Sequence, residues 1–150
     1  TAGLPRGGFK LEVNETDVML DPEAAERTLN AVRDQGVPIV LDDFVTGYSS
    51  LARLDRFAFD VFKLDQYFIR AALTDGSARS IISSVVRIAE SYGMLVVAEG
   101  IETQAAQTLC VELGCDYGQG YQFAPALSPQ DAANAVMHGM KARFAPAQPV

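Results

Sequence analysis

The sequence is poor in positive charge, and this shortage excludes one class of protein. Its 150 residues carry 12 Lys and Arg against 19 Asp and Glu, which gives a net charge of −7. Because phosphate backbones are held mainly by Lys and Arg, this balance argues against binding to duplex nucleic acid. An anionic substrate would need a local positive centre, such as a metal ion.

Cysteine is also scarce, and long apolar stretches are absent. Cys110 and Cys115 have neither CxxC spacing nor neighbouring metal ligands, so we expect ordinary reduced thiols in a cytoplasmic protein. No apolar run approaches the ~18 residues that a membrane span needs. We therefore expect no membrane segment. With 49% hydrophobic and 21% charged residues, the composition predicts one globular domain or part of a larger one.

What the sequence does contain is a regular alternation of short apolar runs with longer amphipathic segments. Capping residues, prolines and glycines separate the two kinds of segment. The predicted strands are 9–13, 38–41, 60–64, 94–98 and a weaker one at 117–121. The predicted helices are 22–35, 50–57, 77–92, 103–113 and 128–140, and a frayed tail follows at 143–150.

Five βα units in succession predict a parallel sheet with helical crossovers. Two architectures fit this pattern: an open doubly wound sheet, or part of a (β/α)8 barrel, since a whole barrel takes about 250 residues. No glycine-rich phosphate fingerprint follows the first strand, which lowers the weight of a Rossmann-type interpretation.

Polar and charged residues lie at or near the carboxyl end of every predicted strand. They are Glu12, Asp42, Asp43, Lys63, Asp65, Glu99 and Gln119. Active sites of barrels and open α/β sheets form at this end, although a single Asp after a strand caps a helix or turn about as often. Four carboxylates on one rim would repel each other unless cations held them, and hard oxygen ligands suit Mg²⁺, Mn²⁺ or Ca²⁺. Two such ions are a known device for phosphodiester chemistry.

Lys63 is unusual because it lies within an apolar strand. The alternation of side chains places it on the face opposite Phe62 and Leu64. It could form an ion pair with Asp65, act as a Schiff-base lysine, or orient a metal-bound water. The residue pattern leaves these alternatives open.

Five ordered blocks between residues 9 and 127 resemble one known family. The blocks read LEVNET, LDDFVTGYSSL, FKLDQYFI, VVAEGIET and GCDYGQGYQFAPAL. Each is similar to a motif of the EAL-domain cyclic di-GMP phosphodiesterases. The resemblance implies an α/β fold of the (β/α)8 TIM-barrel type, of which this chain would supply about five C-terminal βα units. We expect residues 1–142 to be a partial EAL domain and residues 143–150 to be a disordered tail.

The resemblance also implies a function and its residues. The complete domain would hydrolyse cyclic di-GMP to linear pGpG with two Mg²⁺ or Mn²⁺ ions, and Ca²⁺ would inhibit it. The implied metal ligands are Glu12, Asp42, Asp43 and Glu99, with Asp42 bridging the two ions. The implied catalytic residues are Lys63, Glu99 and Gln119. The implied supporting residues are Glu15, which would anchor the loop after Asp43, and also Asp65 and Glu102.

Some features of the sequence depart from the family pattern. The Glu-Ala-Leu stretch that names the family does not occur, and we expect it in a part of the barrel before Thr1. Val45 replaces a usual Gly, which would impose strain of about 1–3 kcal/mol if that position needs positive φ. Asn14 replaces a usual Thr. An alternative is therefore a weak or inactive EAL domain that acts as a cyclic di-GMP receptor or protein-interaction module.

The family resemblance also implies larger assemblies. We expect a homodimer formed through the EAL domain, and upstream sensor or GGDEF domains. For the 150-residue chain by itself we expect little or no activity, because an incomplete barrel leaves unpaired strand edges.

Overall fold

The computed structural model describes residues 9–44 and 57–138, which form a parallel sheet and its crossover helices. The strands are β1 (Leu11–Asn14), β2 (Ile39–Phe44), β3 (Val61–Leu64), β4 (Leu95–Ala98) and β5 (Tyr117–Gly118). The helices are α1 (Glu15–Leu20), α2 (Pro22–Asp34), α3 (Gln66–Ala72), α4 (Gly76–Ser91), α5 (Gln104–Glu112) and α6 (Pro129–His138).

The strand order follows the chain order, and every neighbouring pair is parallel. A doubly wound sheet reverses its order at a switch point, whereas a barrel adds each strand beside the previous one. Right-handed crossovers in a single direction place all the crossover helices on the same face of the sheet. The parallel α/β prediction is confirmed, and this order favours the barrel over the doubly wound sheet.

The hydrophobic core lies between the helices and one face of the sheet. The buried strand residues of this face alternate along β2, β3 and β4, as a period of two requires. They are Ile39, Leu41, Phe62, Leu64, Val96 and Ala98. Residues between them point to the other face, where Lys63 is buried but Leu95 is 40% exposed. This other face carries the charged residues that the sequence analysis singled out.

Local sequence signals explain where the longer helices begin. Asp21 precedes α2 and accepts a hydrogen bond from Ala24 N at 3.0 Å, while Pro22 occupies the first helical turn. Asp75 precedes α4 and accepts from Ser77 N at 2.8 Å. A side-chain oxygen at this position satisfies an amide that has no partner inside the helix. The predicted start of α2 is confirmed, and α4 begins one residue before its predicted start.

Two short helices were missed by the sequence analysis. The first, α1, follows Asn14, whose side chain accepts from Thr16 N at 2.8 Å. The second, α3, follows Asp65, whose side chain accepts from Tyr67 N at 2.7 Å. At 6 and 7 residues these helices span about two turns, so their helical periodicity is only a weak signal in the sequence. Each is held by apolar burial, which α3 achieves with Ile69 and Ala72.

Other predictions differ from the structure or are not tested by it. β2 extends through Phe44, three residues beyond the predicted end of that strand. The predicted helix at 50–57, except for its last residue, and the predicted tail at 143–150 lie outside the described residues. Within residues 9–44 and 57–138, none of the helices combines the length and the apolar character that crossing a membrane requires.

Candidate functional site

Lys63 is the centre of a charged cluster on the face of the sheet opposite the hydrophobic core. Its Nζ donates to Glu99 Oε1 at 2.7 Å and to Glu12 Oε2 at 3.0 Å. The same nitrogen lies 3.4 Å from Asp42 Oδ1. The three carboxylates come from β1, from β2 and from the residue that follows β4. The structure thus brings four of the predicted site residues together.

Strand register explains why these residues meet. β3 pairs with β2 on one side and with β4 on the other, and Lys63 lies opposite Val97 of β4. Glu99 comes two residues later, and its amide donates to Leu64 O at 3.0 Å, which keeps it beside β3. Parallel strands carry their carboxyl ends to one edge, so residues far apart in sequence become neighbours there.

A register shift in β2 affects the two adjacent aspartates. Leu41 pairs with Phe62 and Phe44 pairs with Leu64, so two residues of β2 lie opposite Lys63 alone. Those residues are Asp42 and Asp43. A bulge of this kind interrupts the strict alternation of side chains, and bulges of this kind are over-represented beside active sites. The side chain of Asp43 lies outside the described part of the structure.

The cluster keeps Lys63 charged. Burial by itself lowers the pKa of the Lys63 ammonium, but hydrogen bonds to Glu99 and Glu12 and the charges of Glu99 and Asp42 raise it above its usual value. The side chain of Lys63 is 10% exposed, whereas that of Glu12 is 55% exposed. A Schiff-base role, which needs a neutral amine, is therefore disfavoured.

The donor set of the cluster suits a hard divalent cation. Among the described residues, three carboxylates lie within 3.4 Å of the Lys63 ammonium, so anionic oxygens are concentrated there. Carboxylate oxygens are the ligands that Mg²⁺, Mn²⁺ and Ca²⁺ prefer. As the side chains stand, they turn toward Lys63, and no group of three His, Cys, Asp or Glu among the described residues could hold a metal ion. The carboxylates are chemically suited to binding a metal ion. In this structure they are oriented toward Lys63.

The loop that follows β4 is held on both sides. Gly100 has φ of 63°, and an added Cβ would collide with Gln66 of α3. Ile101 is fully buried, and its amide donates to Gln119 O at 3.0 Å. An added Cβ on Gly120 would collide with the backbone of Ile101. These close approaches require glycine at both positions and fix Glu99 and Gln119 relative to each other.

A cavity of about 380 Å³ opens beside this loop. Its walls include Gln66, Glu102, Gln119 and Tyr121. Glu102 accepts a hydrogen bond from Arg70 Nη2 at 2.8 Å. Gln119 also lines the cavity, and its main-chain amide donates to Ala98 O at 2.8 Å, which joins the end of β5 to β4.

Asp65 and Glu15 were predicted as supporting residues. Within the described residues, Asp65 caps α3 and Lys63 pairs with carboxylates of other strands, so of the alternatives for Lys63 the ion pair with Asp65 is not the arrangement found. Glu15 begins α1 and is only 7% exposed. The loop that Glu15 was predicted to anchor lies outside the described residues.

Gln66 and Arg70 were missed by the sequence analysis. Both lie on α3, four residues apart, which places them on the same side of that helix and near the cavity and Glu102. Their signal was Asp65 as an N-cap followed by apolar Phe68, Ile69 and Ala72 at helical spacing.

Comparisons with known proteins agree with this architecture. A family model described as EAL domain matches residues 1–126. The chain is 37% identical over 127 residues to the cyclic di-GMP phosphodiesterase RocR of Pseudomonas aeruginosa, covering 85% of this chain and 32% of RocR. The matched region thus spans about a third of the length of that relative.

Solved structures give the same result. The MucR phosphodiesterase of Pseudomonas aeruginosa in complex with c-di-GMP superposes with a TM-score of 0.79 at 34% identity, covering 85% of this chain and 51% of that one. A manganese and c-di-GMP complex of Klebsiella pneumoniae BlrP1 superposes with a TM-score of 0.77 at 36% identity, covering 83% of this chain and 32% of the BlrP1 chain. The family match, the identities and the superpositions agree over the same region, and the chain belongs to the EAL domain family.

Proposed function

We propose that this chain is the C-terminal part of a phosphodiesterase domain that hydrolyses cyclic di-GMP to linear pGpG. The observation that carries the proposal is the cluster of Glu12, Asp42 and Glu99 around Lys63, at the carboxyl edge of a parallel sheet in an EAL domain. Relatives named as cyclic di-GMP phosphodiesterases support the choice of substrate.

The residues of the cluster have distinct roles in this proposal. Glu12, Asp42, Asp43 and Glu99 would hold two divalent cations, Mg²⁺ or Mn²⁺. When bound, these ions would neutralise phosphate charge and lower the pKa of the attacking water. The bulge in β2 supports this assignment, because it gives Asp42 and Asp43 positions beside one residue of β3.

Lys63 and Gln119 would act on the reacting groups. Lys63 carries a positive charge at the centre of the site, where it would orient the attacking water and stabilise negative charge on the phosphate. Gln119 would support the same site from the end of β5, since it lines the adjoining cavity. The described cluster places Lys63 within hydrogen-bonding distance of Glu12 and Glu99, so a shift of either carboxylate would move Lys63.

We also propose that further strands complete the barrel. The chain covers 51% of the solved MucR chain, and within its described residues β1 and β5 form the edges of the sheet. The exposed Leu95 and Glu12 lie on the face that a closed barrel would cover. The domain limits at residues 1–142, the homodimer, the upstream sensor or GGDEF domains and the cytoplasmic location stay predictions.

The test is turnover by the completed domain. With Mg²⁺ or Mn²⁺, the domain that includes the preceding strands should convert cyclic di-GMP to pGpG, as followed by chromatography, and Ca²⁺ should inhibit this. The 150-residue chain by itself should show little turnover. Absence of turnover by the completed domain would contradict the proposal, and calorimetric binding without hydrolysis would instead support a receptor role.

A further inference from the structure

The cavity beside the charged cluster carries one charged residue among its described walls. That residue is Glu102, and the other wall residues are neutral, such as Gln66, Gln119 and Tyr121. Glu102 lies three residues after Glu99, in the loop that two close glycine contacts hold in place. A bare carboxylate at this position would add to the negative charge of the neighbouring cluster.

Arg70 is the partner of Glu102. It lies on α3, and its Nη2 donates to Glu102 Oε1 at 2.8 Å. The side chains of Arg70 and Glu102 are 56% and 44% exposed. Exposed ion pairs contribute only about 0–1 kcal/mol to the stability of a fold. The consequence of this pair is therefore local, because it sets the direction and the charge of Glu102.

The electrostatic surroundings give that local effect its importance. The chain has a net charge of −7, and three carboxylates already lie at this edge of the sheet. A ligand with two phosphate groups meets a repulsive potential as it approaches such an edge. Removal of one negative charge from the cavity wall lowers this barrier without changing the cluster itself.

We propose that Arg70 is a positioning residue, which holds Glu102 against α3 and neutralises it so that an anionic nucleotide can occupy the adjoining cavity. This inference rests on the proposed function for the nature of the substrate. It assigns Arg70 no contact with the reacting atoms. The effect of Arg70 passes through Glu102, so it belongs to substrate binding rather than to the chemical step.

The decisive experiment is a double-mutant cycle in the completed domain. Arg70→Gln should raise KM for cyclic di-GMP about 3-fold to 5-fold, the size expected for one exposed charge pair, with kcat unchanged within twofold. In a Glu102→Gln background the same change should have no effect, because no carboxylate is left to neutralise. Arg70→Lys should keep most of the wild-type KM. Arg87→Gln on α4 removes an equal charge from another exposed position and should leave KM unchanged.

The dependence of KM on salt concentration distinguishes this electrostatic role of Arg70 from a merely structural one. Because salt screens exposed charges, the KM difference between wild type and Arg70→Gln should shrink as ionic strength rises to about 0.5 M. A full Arg70→Gln effect in the Glu102→Gln background, an unchanged KM, or an effect confined to kcat would each overturn the proposal.

If the wild-type domain binds cyclic di-GMP without hydrolysing it, the proposed hydrolysis fails, and calorimetric Kd values test Arg70 in the same cycle. If the wild-type domain does not bind cyclic di-GMP at all, the Arg70 proposal fails as well.

Discussion

The two ends of the sheet use carboxylates in opposite ways. At the amino end, Asp60 Oδ2 accepts from Ile39 N and Asp116 Oδ2 accepts from Val96 N, each at 2.8 Å. Each of these residues precedes a strand and bonds to the backbone of the neighbouring strand. At the carboxyl end, Glu12, Asp42 and Glu99 share the single ammonium of Lys63.

This difference distinguishes the carboxylates that stabilise the fold from those that are available for chemistry. Asp60 and Asp116 each satisfy one backbone amide, so they hold adjacent strands together without accumulating charge. Around Lys63 the described residues bring three carboxylates together, and like charges this close cost stability unless cations hold them. In barrels the amino end is typically the stabilising end and the carboxyl end holds the active site.

The largest effect that would test this contrast is loss of activity at the carboxyl end. Glu99→Gln in the completed domain should lower turnover of cyclic di-GMP by at least about 100-fold, because it removes the charge of a proposed metal ligand and the shortest contact to Lys63. Asp60→Ala, at the opposite end, is the matched control and should leave the specific activity of the folded protein within about twofold. Comparable losses in both variants would show that the two ends do not differ in this way.

The next effect is on stability. Lys63→Met should lower the free energy of unfolding by about 1–3 kcal/mol at neutral pH, because three carboxylates lose a shared cation while all three keep partial access to water. Since the folded pKa of Lys63 is raised, its contribution is fully present below pH 10.5 and is lost only as pH rises above that value. Urea unfolding of both proteins measures the difference.

Added metal sharpens the Lys63 prediction. The deficit of Lys63→Met should shrink when Mn²⁺ is added, because a bound cation would replace the lost positive charge. A deficit that is the same with and without Mn²⁺ would mean that lost packing, not charge, is responsible.

At the amino end of the sheet, removal of a single hydrogen-bond acceptor should lower stability without lowering activity. Asp60→Ala leaves the amide of the buried Ile39 without its partner, and we expect a loss of about 1–2 kcal/mol in the free energy of unfolding. Asp116→Ala should lower the free energy of unfolding in the same way, because it leaves the amide of Val96 without its partner. Asp34→Ala, at the exposed end of α2, serves as the control. Equal stability of the Asp60 and Asp34 variants would contradict the role assigned to the amino end.

The smallest effect concerns Asp75, an exposed carboxylate outside both ends of the sheet. Hydrogen bonds from the Ser77 hydroxyl and amide lower the pKa of Asp75 below its usual value of 3.8. A lowered folded pKa means that the contribution is present above the unfolded pKa and is lost as pH falls through the folded one. Thermal unfolding of wild type and Asp75→Ala should therefore differ slightly at pH 6 and converge at pH 2. A constant difference across this range would indicate that charge is not involved.

Much of the fold was predictable because strands and long helices carry repeated signals. The apolar runs before Asp42, Asp65 and Glu99 and the caps of α2 reflect local physics, and the structure has strands and a helix there. The short helices α1 and α3 were not predictable with equal ease, because they depend on packing against the sheet more than on periodicity. As a result Arg70, which lies on α3, was missed as a site residue.

The sequence by itself determined the parallel α/β order, the carboxylates at the strand ends and the face on which Lys63 lies, because these follow from periodicity and from the short reach of capping residues. Only the tertiary structure decided that Lys63 joins Glu12 and Glu99, at sequence separations of 51 and 36 residues, rather than Asp65 two residues away. The reason is register: a strand pattern fixes the direction of a side chain, while its neighbours depend on which strands lie alongside and how they are aligned.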